Sequence, residues 1–210
     1  MNNHKILSGR SLLLLVTILA LIIGCTPKST KSGFLGDYGG FKIDPEDKSM
    51  LYYEKPNVDW KRYRRLMIDP VLIYYDPNAE HRQIQPDELK KLTDYFREVT
   101  IKEVQDAYPV VDTPGPDVLR IRAAITDVIP ANPILNVASA AGVGIPIDMG
   151  GAAMEAEFLD SMTDERLGAI IDKKMGTPVQ YFDGFTRLGH AKVALRNWAK
   201  ELRKALDSTQ

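Results

Sequence analysis

The chain has 210 residues, with 27 Lys and Arg against 28 Asp and Glu and a net charge of −1 when its three histidines are neutral. That balance gives no electrostatic case for nucleic acid. Its one cysteine can form neither an internal disulfide nor a multi-cysteine metal site.

The N-terminus has three parts. Lys5 and Arg10 give a basic start, residues 12–23 are apolar apart from Thr17, and Gly24 and Cys25 are followed by a polar stretch. A basic start, a short apolar run and a small residue at the cut describe a secretory signal peptide over residues 1–24. The run is too short for a spanning helix, which needs about 20 apolar residues. Its ending, Ile22-Ile23-Gly24-Cys25, resembles the lipobox of bacterial lipoproteins. The resemblance implies cleavage between Gly24 and Cys25, a diacylglycerol on the Cys25 thiol and a further acyl chain, such as palmitate, on its amine. One acyl chain holds a protein at a membrane only marginally, whereas two or more hold it stably. Residue 26 is Thr rather than Asp, which by the same resemblance implies the periplasmic face of the outer membrane of a Gram-negative cell.

Cleavage leaves 186 residues with 25 basic and 28 acidic side chains, enough for one domain with a sizeable core. Residues 25–32 read as lipidated cysteine and polar tether, reaching at most about 25 Å from the membrane. A single domain is expected over 33–210. It opens with an aromatic-rich arm, 33–65, packed on the body and carrying a short strand over 50–54. Residues 66–75 predict a strand with Pro70 at an edge or bulge. Pro86, Asp87 and Glu88 open a helix whose apolar face is Leu89, Leu92, Phe96 and Val99.

Residues 118–128 alternate, with Leu119, Ile121, Ala123 and Ile125 on one face and Arg120 and Arg122 on the other. Residues 152–160 repeat the device, with Met154, Ala156 and Phe158 inward and Glu155 and Glu157 outward. Such strands predict an antiparallel sheet with one wet face, on which arginines and glutamates pair across strands. Residues 167–175 complete a hairpin. A last helix, 188–207, carries the stripe Ala191, Leu195, Trp198, Leu202 and Leu206, with Lys192, Arg196, Lys200, Arg203 and Lys204 largely on its solvated side. The order β-α-β-β-β-α predicts an α+β fold of two layers, a mostly antiparallel sheet with two main helices on one face.

The segments SGFLGDYGGF, MIDPVLIYYDPN, QPDELKKLTDYFREV, YPVVDTPGPDVLRIRAAITDV, PANPILNVAS, EAEFLDSMTDERLGAIID and HAKVALRNWAKELRKALD together resemble an uncharacterised family of bacterial lipoproteins, domain of unknown function 3313. More distantly, the element order is similar to the α/β domains of the curli secretion lipoprotein and of the penicillin-binding-protein activator lipoproteins. The resemblance implies a lipoprotein address and a fold, and transfers no functional residue.

Catalytic patterns are sparse. His81 sits in a polar loop and His190 opens the last helix; neither has close-spaced partners for zinc, and both are read as solvated or capping. Ser139 lies outside a G-x-S-x-G elbow, and the glycines of 142–151 lack the context of a nucleotide loop. Glu155 and Glu157 could flank a glycan, but Arg120 and Arg122 make an ion-paired face the simpler reading.

Two stretches stand out. Residues 129–151 hold no charge except Asp148, and are either a buried crossover with a short helix over 135–141 or a docking surface presenting Ile134, Leu135 and Val137. The aromatic and basic patch containing Trp60 and Arg62 either pins the arm to the core or joins such a surface. The expectation is therefore a non-catalytic, lipid-anchored periplasmic lipoprotein that binds or scaffolds an envelope protein or peptidoglycan, with no cofactor or metal. The alternatives are an envelope-modifying enzyme and a self-assembling secretion component.

Overall fold

The computed structural model describes residues 31–76, 79, 84–145, 147–177, 180 and 182–209. The expectations at Gly24, Cys25 and His81, and the signal peptide as a whole, lie outside the described residues. Seven strands are present among them, β1 (Lys42–Ile43), β2 (Leu51–Glu54), β3 (Arg65–Ile68), β4 (Leu72–Ile73), β5 (Val118–Ile129), β6 (Gly151–Asp160) and β7 (Arg166–Met175). The helices are α1 (Pro86–Val104), α2 (Pro133–Val143) and α3 (Gly189–Ser208).

The strands form one sheet in the order β1-β2-β7-β6-β5-β3, with β4 also on the free edge of β5. β3 and β4 run parallel to β5, and every other pairing is antiparallel. The fold is α+β with a mostly antiparallel sheet, as the alternation in β5 and β6 predicts. The strand expected over 66–75 is split. Pro70 has no N–H to give the ladder, so β3 stops at Ile68 and pairing with β5 resumes at Leu72. Both pieces occupy the edge, where a proline is tolerated.

α1 and α3 cover one face and run parallel to each other. Successive partners along α1 meet successive partners along α3: Glu88 with Arg187, Phe96 with Trp198, and Tyr108 with Asp207 just beyond the end of α1. The predicted stripe on α3 is buried at Ala191, Leu195, Trp198 and Leu206, and Leu202 is half-buried. On its basic side Lys192, Lys200 and Lys204 are exposed as expected, whereas the two arginines are engaged. Arg203 donates to the Glu103 carbonyl and pairs with Asp106 and Asp207, while Arg196 donates to the Tyr95 hydroxyl.

The opposite face of the sheet is not wet as expected. Residues 32–41 of the arm lie across it, and Phe34, Leu35, Tyr38 and Phe41 pack with Ala169, Ile171, Leu51 and Tyr53. Glu155 and Glu157 do point to this face, but both are buried. Glu157 pairs with Arg122 opposite it on β5 and with Arg166 on β7, at 2.6 and 2.8 Å. Glu155 has another use. Its two oxygens accept the Ser32 N–H at 2.6 Å, the Leu35 N–H at 3.3 Å and the Tyr38 hydroxyl at 2.7 Å. A buried carboxylate surrounded by donors holds the arm down.

Candidate functional site

A trough runs across the helix-facing side of the sheet because small side chains fall into line there. Ala123 on β5 lies opposite Ala156 on β6, which lies opposite Ile170 on β7. The row on one side of them is Ile68, Ile121 and Phe158, and on the other Ile125, Met154 and Asp172. Rows on one sheet face are about 7 Å apart, so two adjacent alanines leave a channel one side-chain row wide between taller walls. Phe96 and Thr100 of α1 and Trp198, Leu202 and Ala205 of α3 roof it. The partly open space it leaves is about 370 Å³ and mainly carbon-lined, within the size range of small-molecule sites.

Charged side chains mark its two ends. Asp44, Glu46 and Asp47 of the β1–β2 loop stand at one with Glu201 and Lys204 of α3, and Asp69 and Arg97 at the other. Asp69 is held by Arg120 at 2.8 Å. Beside the β1–β2 loop, the buried Asp172 accepts the Trp198 indole N–H at 2.7 Å and the Ser49 hydroxyl at 3.1 Å, and pairs with Lys174 at 3.0 Å. Lys174 also meets Glu201 at 3.1 Å and Asp47 at 3.4 Å. Burial alone would lower the Lys174 pKa; the carboxylates of Asp172 and Glu201 outweigh it and hold the ammonium above the usual lysine range. The roof tryptophan is thus fixed by a charged cluster, in one orientation.

The residues singled out in sequence do not converge. Ile134, Leu135 and Val137 lie on α2 and are exposed, at 83, 44 and 57%. They sit at the end of the sheet where β5 stops and β6 starts. Trp60 and Arg62 occupy a 3₁₀ turn at the opposite end. Trp60 packs with Tyr63 and donates to Glu54, and Arg62 donates to the Pro116 carbonyl. That pair pins the arm to the body.

His190 is neither solvated nor a cap. It is buried, its Nδ1 accepts the Gly150 N–H at 3.1 Å, and burial lowers its pKa. The imidazole lies so close to Gly176 that a Cβ there would overlap the ring. Among the described residues, no group of three or more His, Cys, Asp or Glu is placed to hold a metal ion, and no helix is long and apolar enough to cross a membrane.

Local pattern in the sequence does not show the trough. Alternation places Ala123 and Ala156 on the core face of their strands, and two alanines where neighbouring positions carry Ile, Met and Phe are the available signal. Only the register brings them side by side.

Comparison with known proteins gives a family and several partial structural matches. The "Uncharacterized lipoprotein YdcL" of Escherichia coli (strain K12) is 29% identical over 116 residues, which are 52% of this chain and 52% of that one. The chain thus spans about half the length of the curated relatives it matches. Among solved structures, a PelC dodecamer from Paraburkholderia phytofirmans aligns with 72% of this chain and 96% of its own, at 8% identity and a TM-score of 0.41. A DUF4136 family protein from Bacteroides thetaiotaomicron aligns with 78% of this chain and 98% of its own, at 10% identity and a TM-score of 0.37. The family described as "Protein of unknown function (DUF3313)" matches residues 30–202. The chain belongs to that family.

Proposed function

We propose that this is a lipid-anchored binding protein of the cell envelope that holds the hydrocarbon chain of a single-chain amphiphile in the trough over Ala123 and Ala156. The observation that carries the reading is the trough itself, apolar along its length and charged at both ends. An occupant with one apolar chain and one polar head matches the apolar stretch and the β1–β2 loop end, since at the other end Asp69 is already paired with Arg120 and Arg97 donates to the Ile68 carbonyl. Acidic side chains outnumber basic ones where the β1–β2 loop meets α3, which favours a headgroup bearing an amine. The work asked of the site is binding rather than turnover.

The anchor in this reading is Cys25, carrying a diacylglycerol and an acyl chain after cleavage behind Gly24. It holds the domain at the outer membrane, facing the periplasm. The lipobox-like ending, the residue after it and the lipoprotein relative support that address.

Trp198 supplies the test, because it roofs the trough and only one other tryptophan, Trp60, needs silencing. The full lipidated chain carrying Trp60→Phe is placed in liposomes with lysophosphatidylethanolamine brominated on its acyl chain. Bromine in van der Waals contact quenches indole, so Trp198 emission is expected to fall by more than half. Adding Ala156→Leu fills the channel; the quench is then expected to shrink several-fold while the Tm holds or rises, since the new side chain enters empty space. Unquenched Trp198, or equal quenching in the filled variant, refutes the proposal.

A further inference from the structure

α2 is built inside out for a helix in water. Asn136 is buried against the protein with Ser139 half-buried beside it, while Ile134, Leu135 and Val137 face solvent on the other side. A surface helix normally presents the reverse pattern. Slack in the segment does not explain the exposure, because Asn136 clamps the helix with a full set of hydrogen bonds. Its amide donates to the Asp148 and Gly184 carbonyls at 2.9 and 2.7 Å, and its oxygen accepts the Ile147 and Asp148 N–H groups at 3.1 and 2.8 Å. The Asn132 side chain caps the first turn, and Gly144, at φ +85°, closes the last. The apolar face is therefore held outward by design of its own polar contacts. No charged residue occurs between Ile129 and Ile147.

The course of the arm indicates what covers this face. Ser32 is bound by Glu155, four residues along β6 from Gly151, where α2 ends its crossover. From there the arm advances toward the other end of the sheet, since Arg166 donates to the carbonyls of Leu35 and Asp37. The described chain thus begins, at Ser32, nearer the end that carries α2 than Leu35 and Asp37 are. Glu155 lies about 14 Å from that end at strand rise, and Cys25 is seven residues from Ser32, a reach of at most about 25 Å. We infer that the apolar face of α2 lies on the lipid surface in which Cys25 is anchored, as a second, non-covalent membrane contact that fixes the orientation of the domain. This rests on the anchor assigned under Proposed function and not on the trough. An apolar helix face buries some 5 to 10 Å into the headgroup boundary when it lies on a bilayer.

In the lipidated chain the Cys25 thiol is occupied, so a new cysteine is the free one. Ile134→Cys, and Met162→Cys in the β6–β7 turn at the far end as control, are labelled with the environment-sensitive fluorophore NBD. Both positions are largely exposed, at 83 and 60%, so the fold tolerates the label. The labelled chain is reconstituted in phosphatidylethanolamine–phosphatidylglycerol liposomes and recovered by flotation. The expected result is NBD emission at position 134 that is blue-shifted, several-fold brighter than at 162, and quenched by brominated lipids. Water-like emission at both positions in floated liposomes overturns the inference. Self-quenching at 134 that grows with protein density also overturns it, in favour of a second copy on α2. A chain that fails to float removes the anchor, and the inference with it.

Discussion

At the scale of single residues, the chain uses carboxylates as acceptors for buried donors. Asp160 closes the β6–β7 turn by accepting the Met162 and Thr163 N–H groups, and its other oxygen accepts the Tyr63 hydroxyl at 2.8 Å. Burial first, and then this bond to an anionic acceptor, push the Tyr63 phenol up to about 12. An unfolded tyrosine ionises near pH 10. Between pH 10 and about 12 the unfolded chain releases a proton that the folded chain keeps, so the stability contributed by neutral Tyr63 is intact below pH 10 and lost as pH rises toward 12. An ultraviolet titration of the tyrosines should show a late step near pH 12, moved toward 10 by Asp160→Asn. Superimposable curves for the two proteins would count against the assignment.

At the scale of elements, the arm and β6 form one unit through Glu155. All three groups that reach its carboxylate are donors, so an amide in its place turns an N–H₂ toward a donor whichever way it is flipped. Glu155→Gln is therefore expected to lower stability by about 1–3 kcal/mol and to free the arm selectively. Hydrogen exchange by mass spectrometry should rise over residues 31–41 while β5 and β6 stay protected. Uniform loosening of the whole sheet would mean that Glu155 supports the core rather than the arm.

This site also marks what could be read from the sequence. Alternation put Glu155 on the correct face, and aromatic content made the arm a packed segment rather than a free leader. That the one lies under the other depends on a contact 123 residues apart in the chain, which local pattern does not encode. β5 gives the same lesson. Its register shifts between Ile125 and Asp127, so that Val128 replaces Asp127 on the helix-facing side, and strict alternation fails there. The trough needed the register of three strands before its two alanines became neighbours.

At the scale of the molecule, two different faces are apolar and each has its own address. The trough is internal and roofed by α1 and α3; α2 stands outside the layers, at one end of the sheet. The first is a narrow channel between the layers, the second an exposed helix surface. Burial separates them, and the sequence, which shows only apolar runs, offered α2 alone.

The pairing of β2 with β7 has a consequence for the order in which the protein is made. β2 spans residues 51–54 and its partners lie at 168–171, so a strand produced early waits for one produced more than a hundred residues later. Domains acquire their contacts as the chain emerges, N-terminus first, and distant pairings close slowly. Until then the aromatic arm has no completed sheet to cover. In refolding from urea, β5–β6–β7 and the helices are expected to gain exchange protection before residues 32–54. Protection of 32–54 in the earliest phase would reverse that order. Residues 32–54 are thus expected to be the last to take their place.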